Sequence, residues 1–406
     1  MYAEICATTG LATFLILLYW IFFGKIVWKS NVPLGSKRSI MRKHRSVGNI
    51  PPIYPNGWFA LAQSSEIKNG QVKQIVALGE NFAVYRTENG IVRIVDAYCP
   101  HLGANMGIGG KVRGEDLECP FHSWRFCGAT GKCTYIPYAK KGVPDVIKAT
   151  PYECLEVNDL IFVWYHSNKE PPTWWPEPIP QISNRTWTYQ GYNEFFVNCH
   201  IQDIPENGAD WAHLTAVHGP SILDSYLSEA VKHSWTDASW TTRSEELAAD
   251  SGNKSACCIP PTPVISHKHI ATSCLKHNLI LFNKYHMMEI NVKANQIGPG
   301  YVELQLQTKF GPMCIVQTVT PVGPLQQRVT HLMFSPLLTS PYAKLVMLGE
   351  CIMFQRDVDV WNHKKYMDKP MLVSEDKNIK HFRRWYKQFY SISSPTYESA
   401  KDSLEW

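Results

Sequence analysis

Two short segments each pair a cysteine with a histidine, and together they offer four side chains that bind transition metals. Cys99-Pro-His101 is followed after 17 residues by Cys119-Pro-Phe-His122. Two thiolates suit one ferric iron and two imidazoles suit a second, so the four side chains match a [2Fe–2S] cluster with mixed ligands. We therefore predict that Cys99, His101, Cys119 and His122 hold such a cluster.

A structural zinc site and a chance grouping of core residues are the alternatives for these four residues. Zinc fingers usually pair cysteine with cysteine and histidine with histidine at short spacing, whereas each segment here contains one of each. The order and the spacing of the ligands favour the iron–sulfur cluster. The nine other cysteines that follow in the body lack ligand spacing and are interpreted as core or surface thiols: Cys127, Cys133, Cys154, Cys199, Cys257, Cys258, Cys274, Cys314 and Cys351.

A second group of metal-binding side chains lies in residues 206–218, which contain Glu206, Asp210, His213 and His218. Two histidines and a carboxylate on one face of Fe(II) leave other positions open for O₂. The histidines are five residues apart, so we expect a helix that ends or bulges between them. A pair of core histidines on a helix is the alternative. The position of this group about 90 residues after the first motif favours an iron site.

The carboxylate that completes the second site must come from a distant segment of the chain. Glu350, Asp357 and Asp359 lie in a predicted helix and are the candidates. Asp359 is two positions from Asp357, so the two side chains point to different sides of that helix. Glu206 and Asn207 either support the metal ligands or cap a helix.

Short strands should position the first motif and a mixture of helix and strand the second. Turn residues separate the strand patterns at Val72–Leu78, Phe82–Arg86 and Ile91–Asp96. Small and apolar residues recur at helical spacing over Ile204–Gly219, which predicts one helix. Residues 260–335 return to strand patterns, and Pro341–Tyr366 predicts a long helix. The fold class is therefore α+β, with an antiparallel sheet in the second domain.

Four segments follow from these patterns. Residues 1–28 are expected to be a transmembrane anchor and residues 29–57 a basic, proline-rich linker. Residues 58–166 should form an all-β domain around the cluster. Residues 167–406 should form the α+β domain around the mononuclear iron, after a proline-rich boundary near residues 170–180.

The expected anchor is the uncharged run from Ile5 to Gly24, which has 20 residues. Such a helix is about 30 Å long, close to the thickness of a bilayer core. Seven Lys/Arg residues follow within the first 45 positions, so the positive-inside bias places the body in the cytoplasm. In a eukaryote this topology indicates the endoplasmic reticulum membrane.

The charge and the cysteine content of the residues that follow the expected anchor exclude some classes of protein. Beyond residue 45 the chain has 33 Lys/Arg against 34 Asp/Glu, because seven of the 40 basic and one of the 35 acidic residues precede it. A nucleic-acid-binding body would be basic, so that class is excluded. Eleven of the twelve cysteines lie in the expected cytosolic body, which indicates thiols and metal ligands rather than disulfides.

From about residue 51 to 390 the chain resembles the Rieske-type oxygenases, and most closely the Neverland-type cholesterol 7-desaturases. Both metal motifs and the N-terminal apolar run carry the resemblance. Three further segments support it: Pro51-Pro-Ile-Tyr-Pro-Asn-Gly-Trp58, Gln317-Thr-Val-Thr-Pro-Val-Gly323 and Asp357-Val-Asp-Val-Trp-Asn-His-Lys364. The last segment is similar to the one that supplies the family's iron-binding aspartate, which implies Asp357 as the third ligand of His213 and His218.

The resemblance also implies an assembly. In the family, the aspartate at the place of Asp210 bridges a cluster histidine of one subunit to an iron-bound histidine of its neighbour. A ring-shaped homotrimer follows, because the two metals of one chain are too far apart for useful electron transfer. The chain has no dinucleotide-binding fingerprint and no plant-type ferredoxin spacing, so a separate reductase must deliver the electrons.

The implied activity is the removal of hydrogens at C7 and C8 of cholesterol, giving 7-dehydrocholesterol for steroid hormone biosynthesis. The implied cofactors are the [2Fe–2S] cluster and a mononuclear Fe(II), with O₂ and NAD(P)H consumed. A Rieske ketosteroid hydroxylase or another lipid hydroxylase would share every metal ligand. A membrane-bound Rieske electron carrier is a further alternative, although it would not need the open site that His213, His218 and Asp357 predict.

Overall fold

The computed structural model describes residues 2–30, 48–219, 231–244, 267–282 and 284–402. The chain divides into two compact units. We call the unit with Cys99 and His122 the cluster unit and the unit with His213 and Asp357 the triad unit. The cluster unit spans Ile50–Ile179, Val319–Gln327 and Gln388–Trp406. The triad unit spans Met1–Asn49, Pro180–Thr318 and Arg328–Lys387.

Three small antiparallel sheets form most of the cluster unit, in the orders β10-β5-β4-β3, β11-β12-β2 and β6-β7-β8-β9. Strand β12 is buried along its whole length and consists of aliphatic and aromatic residues, as expected of a core strand. The strands are β2 (Gly57–Gln63), β3 (Val72–Ala77), β4 (Glu80–Arg86), β5 (Val92–Asp96), β6 (Lys111–Arg113), β7 (Asp116–Glu118), β8 (Arg125–Cys127), β9 (Cys133–Tyr135), β10 (Pro151–Tyr152), β11 (Cys154–Val157) and β12 (Leu160–Tyr165).

An eight-stranded sheet forms the centre of the triad unit, in the order β1-β13-β19-β18-β17-β16-β15-β14. The pairs from β14 to β18 are antiparallel, which confirms the α+β class with antiparallel sheets. The strands are β1 (Ile26–Lys29), β13 (Thr188–Val197), β14 (Val231–Thr242), β15 (Ile270–Leu281), β16 (Tyr285–Ile297), β17 (Tyr301–Thr308), β18 (Gly311–Gly323) and β19 (Gln326–Ser335).

Seven α-helices are described, most of them short. They are α1 (Tyr2–Phe23), α2 (Pro180–Ser183), α3 (Asp203–Glu206), α4 (Ala212–His218), α5 (Ser340–Trp361), α6 (Lys377–Tyr386) and α7 (Tyr397–Asp402). Single 3₁₀ turns occur at Ser64–Glu66, His267–His269, Leu337–Thr339, Ser374–Asp376 and Lys387–Phe389.

Helix α5 packs against the sheet through one face. Its buried residues Ala343, Met347, Cys351 and Phe354 recur every three or four positions, which is the spacing of a helix that buries one side. Ala343 and Met347 join a core cluster with sheet residues such as Ile315. This packing fixes the side of α5 that carries Asp357.

By length and composition, Leu337–Trp361 is the one helix of the described chain that could cross a membrane. Its buried face belongs to the core of the triad unit, as expected of a core helix in a soluble domain. Thr13–Phe23 is a shorter apolar helical stretch, within helix α1.

Strand β1 joins the sheet beside β13 in the parallel direction, with Ile26 opposite Gly191. Gly191 has a φ of 138°, and a Cβ atom placed on it would lie 1.9 Å from the backbone oxygen of Ile26. Only glycine fits at this point, both for its conformation and for the space available. The close approach of the two backbones therefore requires the residue type at position 191.

Helix α1 ends against α5. The buried Lys344 side chain donates hydrogen bonds from Nζ to the backbone oxygens of Trp20 at 3.2 Å and Ile21 at 2.5 Å. A cation at the C-terminus of a helix satisfies carbonyl groups that have no partner within the helix. The N-terminal segment is thus fixed to the triad unit both by this lysine and by β1.

The prediction of one helix over 204–219 is wrong, because the structure has two short helices, α3 and α4, with a break at residues 207–211. The Asp210 carboxylate accepts a hydrogen bond from the backbone nitrogen of His213 at 3.4 Å, so it competes with helical pairing. The expected break between His213 and His218 is absent, since α4 runs through both. The predicted long helix begins as expected but ends at Trp361.

Candidate metal centres

Two tight turns present the first motif. Cys99 lies in the loop after β5, where its backbone nitrogen donates to the oxygen of Ala104 at 2.9 Å. Cys119 lies after β7, where its backbone nitrogen donates to the oxygen of Trp124 at 2.8 Å. Ser123 in the second turn has a φ of 56°, a conformation that permits the tight reversal. Each turn therefore closes on itself and holds a cysteine and a histidine together.

The two imidazoles of the first motif lie together, and its two thiols interact with each other. The rings of His101 and His122 have centroids 4.7 Å apart, and His101 stacks on Trp124 at 4.2 Å with an interplanar angle of 9°. Cys99 and Cys119 are buried, and both are free thiols. The stacking fixes the orientation of one imidazole beside the two thiols.

The unpaired polar atoms at this point fit a metal cluster. The Nδ1 atoms of His101 and His122 are buried and have no hydrogen-bond partner among the described residues. Burial, with a contribution from the neighbouring Cys119, raises the pKa of the Cys99 thiol to about 12. A metal ion supplies the positive charge that buried thiolates need, and it pairs with the two free ring nitrogens. The residues present therefore fit a [2Fe–2S] cluster.

The second motif forms a compact triad with Asp357. One donor atom from each of His213, His218 and Asp357 lies within 4.8 Å of the others. His218 Nε2 is 3.2 Å from Asp357 Oδ2, and the two imidazole centroids are 5.5 Å apart. Two imidazoles and one carboxylate gathered in this way match the facial triad of Fe(II) oxygenases.

Hydrogen bonds leave the ring nitrogens of the triad available to a metal. His213 Nδ1 donates to the backbone oxygen of Asp210 in a short contact, which leaves its Nε2 for a metal. Burial lowers the pKa of His213, so the imidazole is neutral and able to act as a ligand. The buried Nδ1 of His218 has no partner in the described part of the chain. The donor set therefore fits a mononuclear iron.

The other acidic candidates lie elsewhere. Asp359 is exposed and accepts a hydrogen bond from Gln355 Nε2 at 3.0 Å, so it does not join the triad. Glu206 forms a two-pronged ion pair with Arg383 at 2.7 and 2.9 Å rather than capping a helix. Glu350 lies in the wall of the cavity described next.

A cavity of about 580 Å³ adjoins the triad within the triad unit. Its volume lies in the range of small-molecule sites, and most of its surface is apolar. The sequence contains a signal that could have located these walls, because apolar residues alternate along β15 to β18 and therefore face one side of the sheet. Residues that contribute apolar surface are Leu275, Val292, Leu304, Ile315, Val346 and Phe354.

Comparison with known proteins identifies both units. Residues 57–154 match the Rieske [2Fe–2S] domain family, and residues 163–390 match the family described as 3-ketosteroid 9alpha-hydroxylase C-terminal domain. Over 379 residues the chain is 43% identical to the Xenopus laevis protein named cholesterol 7-desaturase nvd, covering 91% of this chain and 79% of that one. The chain belongs to the cholesterol 7-desaturase family of Rieske oxygenases.

A second relative of this Rieske oxygenase is the Drosophila melanogaster cholesterol 7-desaturase nvd, which is 38% identical over 98% of this chain and 93% of its own length. The crystal structure of dicamba monooxygenase bound to dicamba is similar in fold, with a TM-score of 0.56 and 14% identity. That match covers 84% of this chain and 98% of the other. As a Rieske oxygenase, the enzyme uses a [2Fe–2S] cluster and a mononuclear iron, and it consumes O₂ with electrons from a reductase.

Proposed function

We propose that this Rieske oxygenase is a cholesterol 7-desaturase that converts cholesterol to 7-dehydrocholesterol in steroid hormone biosynthesis. The observation that carries the proposal is the apolar cavity that opens onto the triad of His213, His218 and Asp357. A sterol has a large apolar surface, and the cavity volume of about 580 Å³ is suited to such a ligand. The names of the two relatives specify the same reaction.

Seven residues are proposed to hold the cofactors. Cys99, His101, Cys119 and His122 would hold the [2Fe–2S] cluster, and His213, His218 and Asp357 would hold the mononuclear iron. When bound, the two groups supply electron storage and O₂ activation respectively. NAD(P)H supplies the electrons through a separate reductase.

The protein's own residues orient the ligands and exclude water. The Asp210 carbonyl fixes the His213 ring by accepting from its Nδ1. The apolar walls of the cavity keep bulk water from the reacting carbons, so that the substrate is oxidised in a dry site. The cavity also restricts how a rigid ring system can lie, which determines the carbons that face the triad.

We also propose that Asp210 connects the triad to the cluster of a neighbouring subunit in a homotrimer. The Asp210 side chain is 30% exposed, so its carboxylate is accessible at the surface of the triad unit. Its backbone contact with His213 couples that exposed group to a ligand of the triad. Sedimentation of the purified protein checks the proposed trimer, and a monomer that retains full turnover would contradict it.

We propose that helix α1 anchors the enzyme in the endoplasmic reticulum membrane, with both units in the cytosol. The exposed side chains of its second half are large and apolar, including Leu15, Ile16 and Trp20. Replacing Leu17 by Arg should release the chain from membranes, because a charge at the centre of a short span is costly. Attachment of sugar at the Asn184 sequon would reverse the proposed topology.

The product identifies the reaction. Membranes that contain the chain and a reductase should convert cholesterol to a product with a new 7,8 double bond when O₂ and NADPH are supplied. Mass spectrometry and the ultraviolet absorption of the conjugated diene check this outcome. The Asp357→Ala variant in the same membranes is the matched control and should form no product.

A ketosteroid or other lipid hydroxylase is the second candidate, favoured by the family that matches residues 163–390. The triad residues are common to both candidates, so only the substrate and the product separate them. A dominant 7-hydroxy product, or turnover of 3-keto steroids alone, would assign the enzyme to the hydroxylases. A membrane-bound electron carrier is disfavoured because it would not need a cavity beside the triad.

A further inference from the structure

One ionisable residue of the cavity wall, Glu350, is not needed to complete the triad. It lies on α5 seven residues before Asp357, which places it about 10 Å away along the helix axis and on the same face. Its side chain is 23% exposed, and it lines the cavity. The accessible part of this carboxyl group is therefore available to a ligand in the cavity.

A series of hydrogen bonds fixes one carboxyl oxygen of Glu350. Asn193 Nδ2 donates to Glu350 Oε2 at 2.8 Å, and His331 Nδ1 pairs with Asn193 Oδ1 at 2.6 Å. The amide oxygen of Asn193 can only accept, so His331 Nδ1 is the donor. His331 Nδ1 is 3.6 Å from Glu350 Oε1, which is beyond hydrogen-bond distance. The Oε1 atom of Glu350 therefore takes no part in this series of hydrogen bonds.

Within the described part of the chain, no cation balances Glu350. Burial lowers the pKa of His331 to about 3, so that imidazole is neutral. Among the described residues no lysine or arginine forms an ion pair with Glu350. Burial, with a smaller contribution from the negative Asp357, raises the pKa of the Glu350 carboxyl to about 8, although the hydrogen bond from Asn193 lowers it. A carboxylic acid in this state has one O–H donor to offer, in a cavity that is otherwise largely apolar.

We propose that Glu350 anchors the substrate by donating a hydrogen bond to the single oxygen of a sterol, its 3-hydroxyl group. This inference rests on the proposed function. Its geometry is consistent with the sterol skeleton, because five bonds in extended form separate that oxygen from C7 and span roughly 6 Å. Together with a hydrogen bond of about 3 Å, that length accounts for most of the separation along α5, which brings C7 near the level of Asp357. The anchor would thus select C7 and C8 for reaction.

A polar pair elsewhere in the cavity wall, His233 and His277, is a weaker candidate for the anchor. His233 Nδ1 and His277 Nε2 lie 2.8 Å apart, so each ring already uses one nitrogen on the other. Burial lowers the pKa of His277 to about 4, which keeps this pair uncharged. Glu350 differs because Asn193 donates a hydrogen bond to its Oε2 atom, whereas His331 lies beyond hydrogen-bond distance of its Oε1 atom.

Two variants of the full-length enzyme test the anchor in membranes. Glu350→Leu should raise the KM for cholesterol about tenfold or more and spread oxidation over neighbouring carbons, because an oriented hydrogen bond is lost. Glu350→Gln keeps an N–H donor and should stay within about threefold of the wild type. Gln355→Leu, on the same helix but outside the cavity wall, is the matched control and should have no effect.

The 3-methyl ether of cholesterol separates anchoring from packing. The wild type should bind this ether about as poorly as Glu350→Leu binds cholesterol, and Glu350→Leu should not discriminate between the two sterols. Iron and sulfide content should be unchanged in every variant. The proposal is overturned if Glu350→Leu weakens the binding of cholesterol and of its 3-methyl ether by the same factor. It is also overturned if Glu350→Leu leaves the KM for cholesterol unchanged and still oxidises a single position.

A binding measurement separates failure of the anchor from failure of the proposed function. Dehydroergosterol is a fluorescent sterol that keeps the 3-hydroxyl group, and its binding requires no turnover. Glu350→Leu should bind it about tenfold more weakly than the wild type does. Equal affinities would refute the anchor even if cholesterol is the substrate. Weaker binding without any cholesterol turnover would support the anchor and refute the desaturase.

Discussion

The two metal centres of this chain are constructed in opposite ways. The proposed cluster ligands all lie within the 24 residues from Cys99 to His122, on two turns that close on themselves. The triad joins His213 and His218 to Asp357, which follows His218 by 139 residues. A centre that only stores electrons can be enclosed by local turns. A centre that oxidises a substrate needs ligands from separate elements, because a cavity must remain open between them.

The largest effect should come from breaking the enclosed centre. His122→Ala removes one of four ligands, and the cluster and all turnover should be lost, whereas the triad should still bind iron. Electron paramagnetic resonance of the reduced protein and assays of acid-labile sulfide check the result. Cys127→Ser, which changes a free thiol of the same unit, is the control and should keep the cluster. A zinc-containing protein without sulfide would contradict the assignment.

The open centre should fail independently of the enclosed one. Asp357→Ala should lose one iron per chain and at least about 100-fold in turnover, since the third ligand is removed. The cluster spectrum should persist. Asp359→Ala changes a carboxylate two residues along the same helix that is exposed, and it should retain iron and activity. Loss of iron from Asp359→Ala alone would show that the third ligand was assigned wrongly.

A smaller effect is expected at Asp210, the proposed link between the two kinds of centre. Asp210→Ala keeps the backbone oxygen that orients His213 but removes the exposed carboxylate. We expect both metals to remain while turnover falls about 10- to 100-fold. Single-turnover oxidation of the pre-reduced protein measures electron delivery to the triad directly. If delivery is as fast as in the wild type, Asp210 is only a structural residue.

The smallest expected effect concerns stability and pH. The pKa of Glu350 is raised to about 8 in the folded protein, so the unfolded chain releases this proton at lower pH. Stability is therefore lost as pH rises from the ordinary carboxyl pKa to about 8, and it changes no further above that value. Glu350→Gln removes this loss. The free energy of unfolding of Glu350→Gln, relative to that of the wild type, should therefore increase by about 1–3 kcal/mol between pH 5 and pH 8, which corresponds to a few degrees in Tm.

The described groups that face Glu350 are Asn193, His331 and, on its own helix, Cys351 and Asp357. They are unchanged in Glu350→Gln, so their own titration cancels in the difference between the two proteins. Thermal unfolding of both proteins at pH 5 and pH 8 provides the measurement. A Tm difference that is independent of pH would show that Glu350 titrates as an ordinary carboxyl group.

The prediction from sequence is most specific where the proposed ligands are neighbours in the chain. Spacing alone indicated Cys99 to His122 as one metal site, because a tight turn brings such residues together whatever surrounds them. Asp357 required the resemblance to a family, since a contact across 139 residues depends on the packing of α5 against the sheet. The break before His213 was missed because Asp210 competes for a backbone group, a local contact that apolar periodicity does not contain.

The cavity was not predictable in the same way. Alternating apolar residues on β15 to β18 indicate a buried face, but the register between strands decides which of them meet. Glu350 was weighed only as a metal ligand, because nothing in the sequence shows that Asn193 and His331 lie behind it. That no described lysine or arginine pairs with Glu350 is a property of the assembled unit.

The attachment of the N-terminal segment to the sheet depends on the codon for Gly191. Every missense change in its codon adds a Cβ atom, for which the backbone of Ile26 leaves no room. Such an allele would encode both metal motifs intact, yet strand β1 would be displaced from the sheet. Among inherited variants, a substitution at this position should therefore resemble loss of the N-terminal segment rather than loss of a metal ligand.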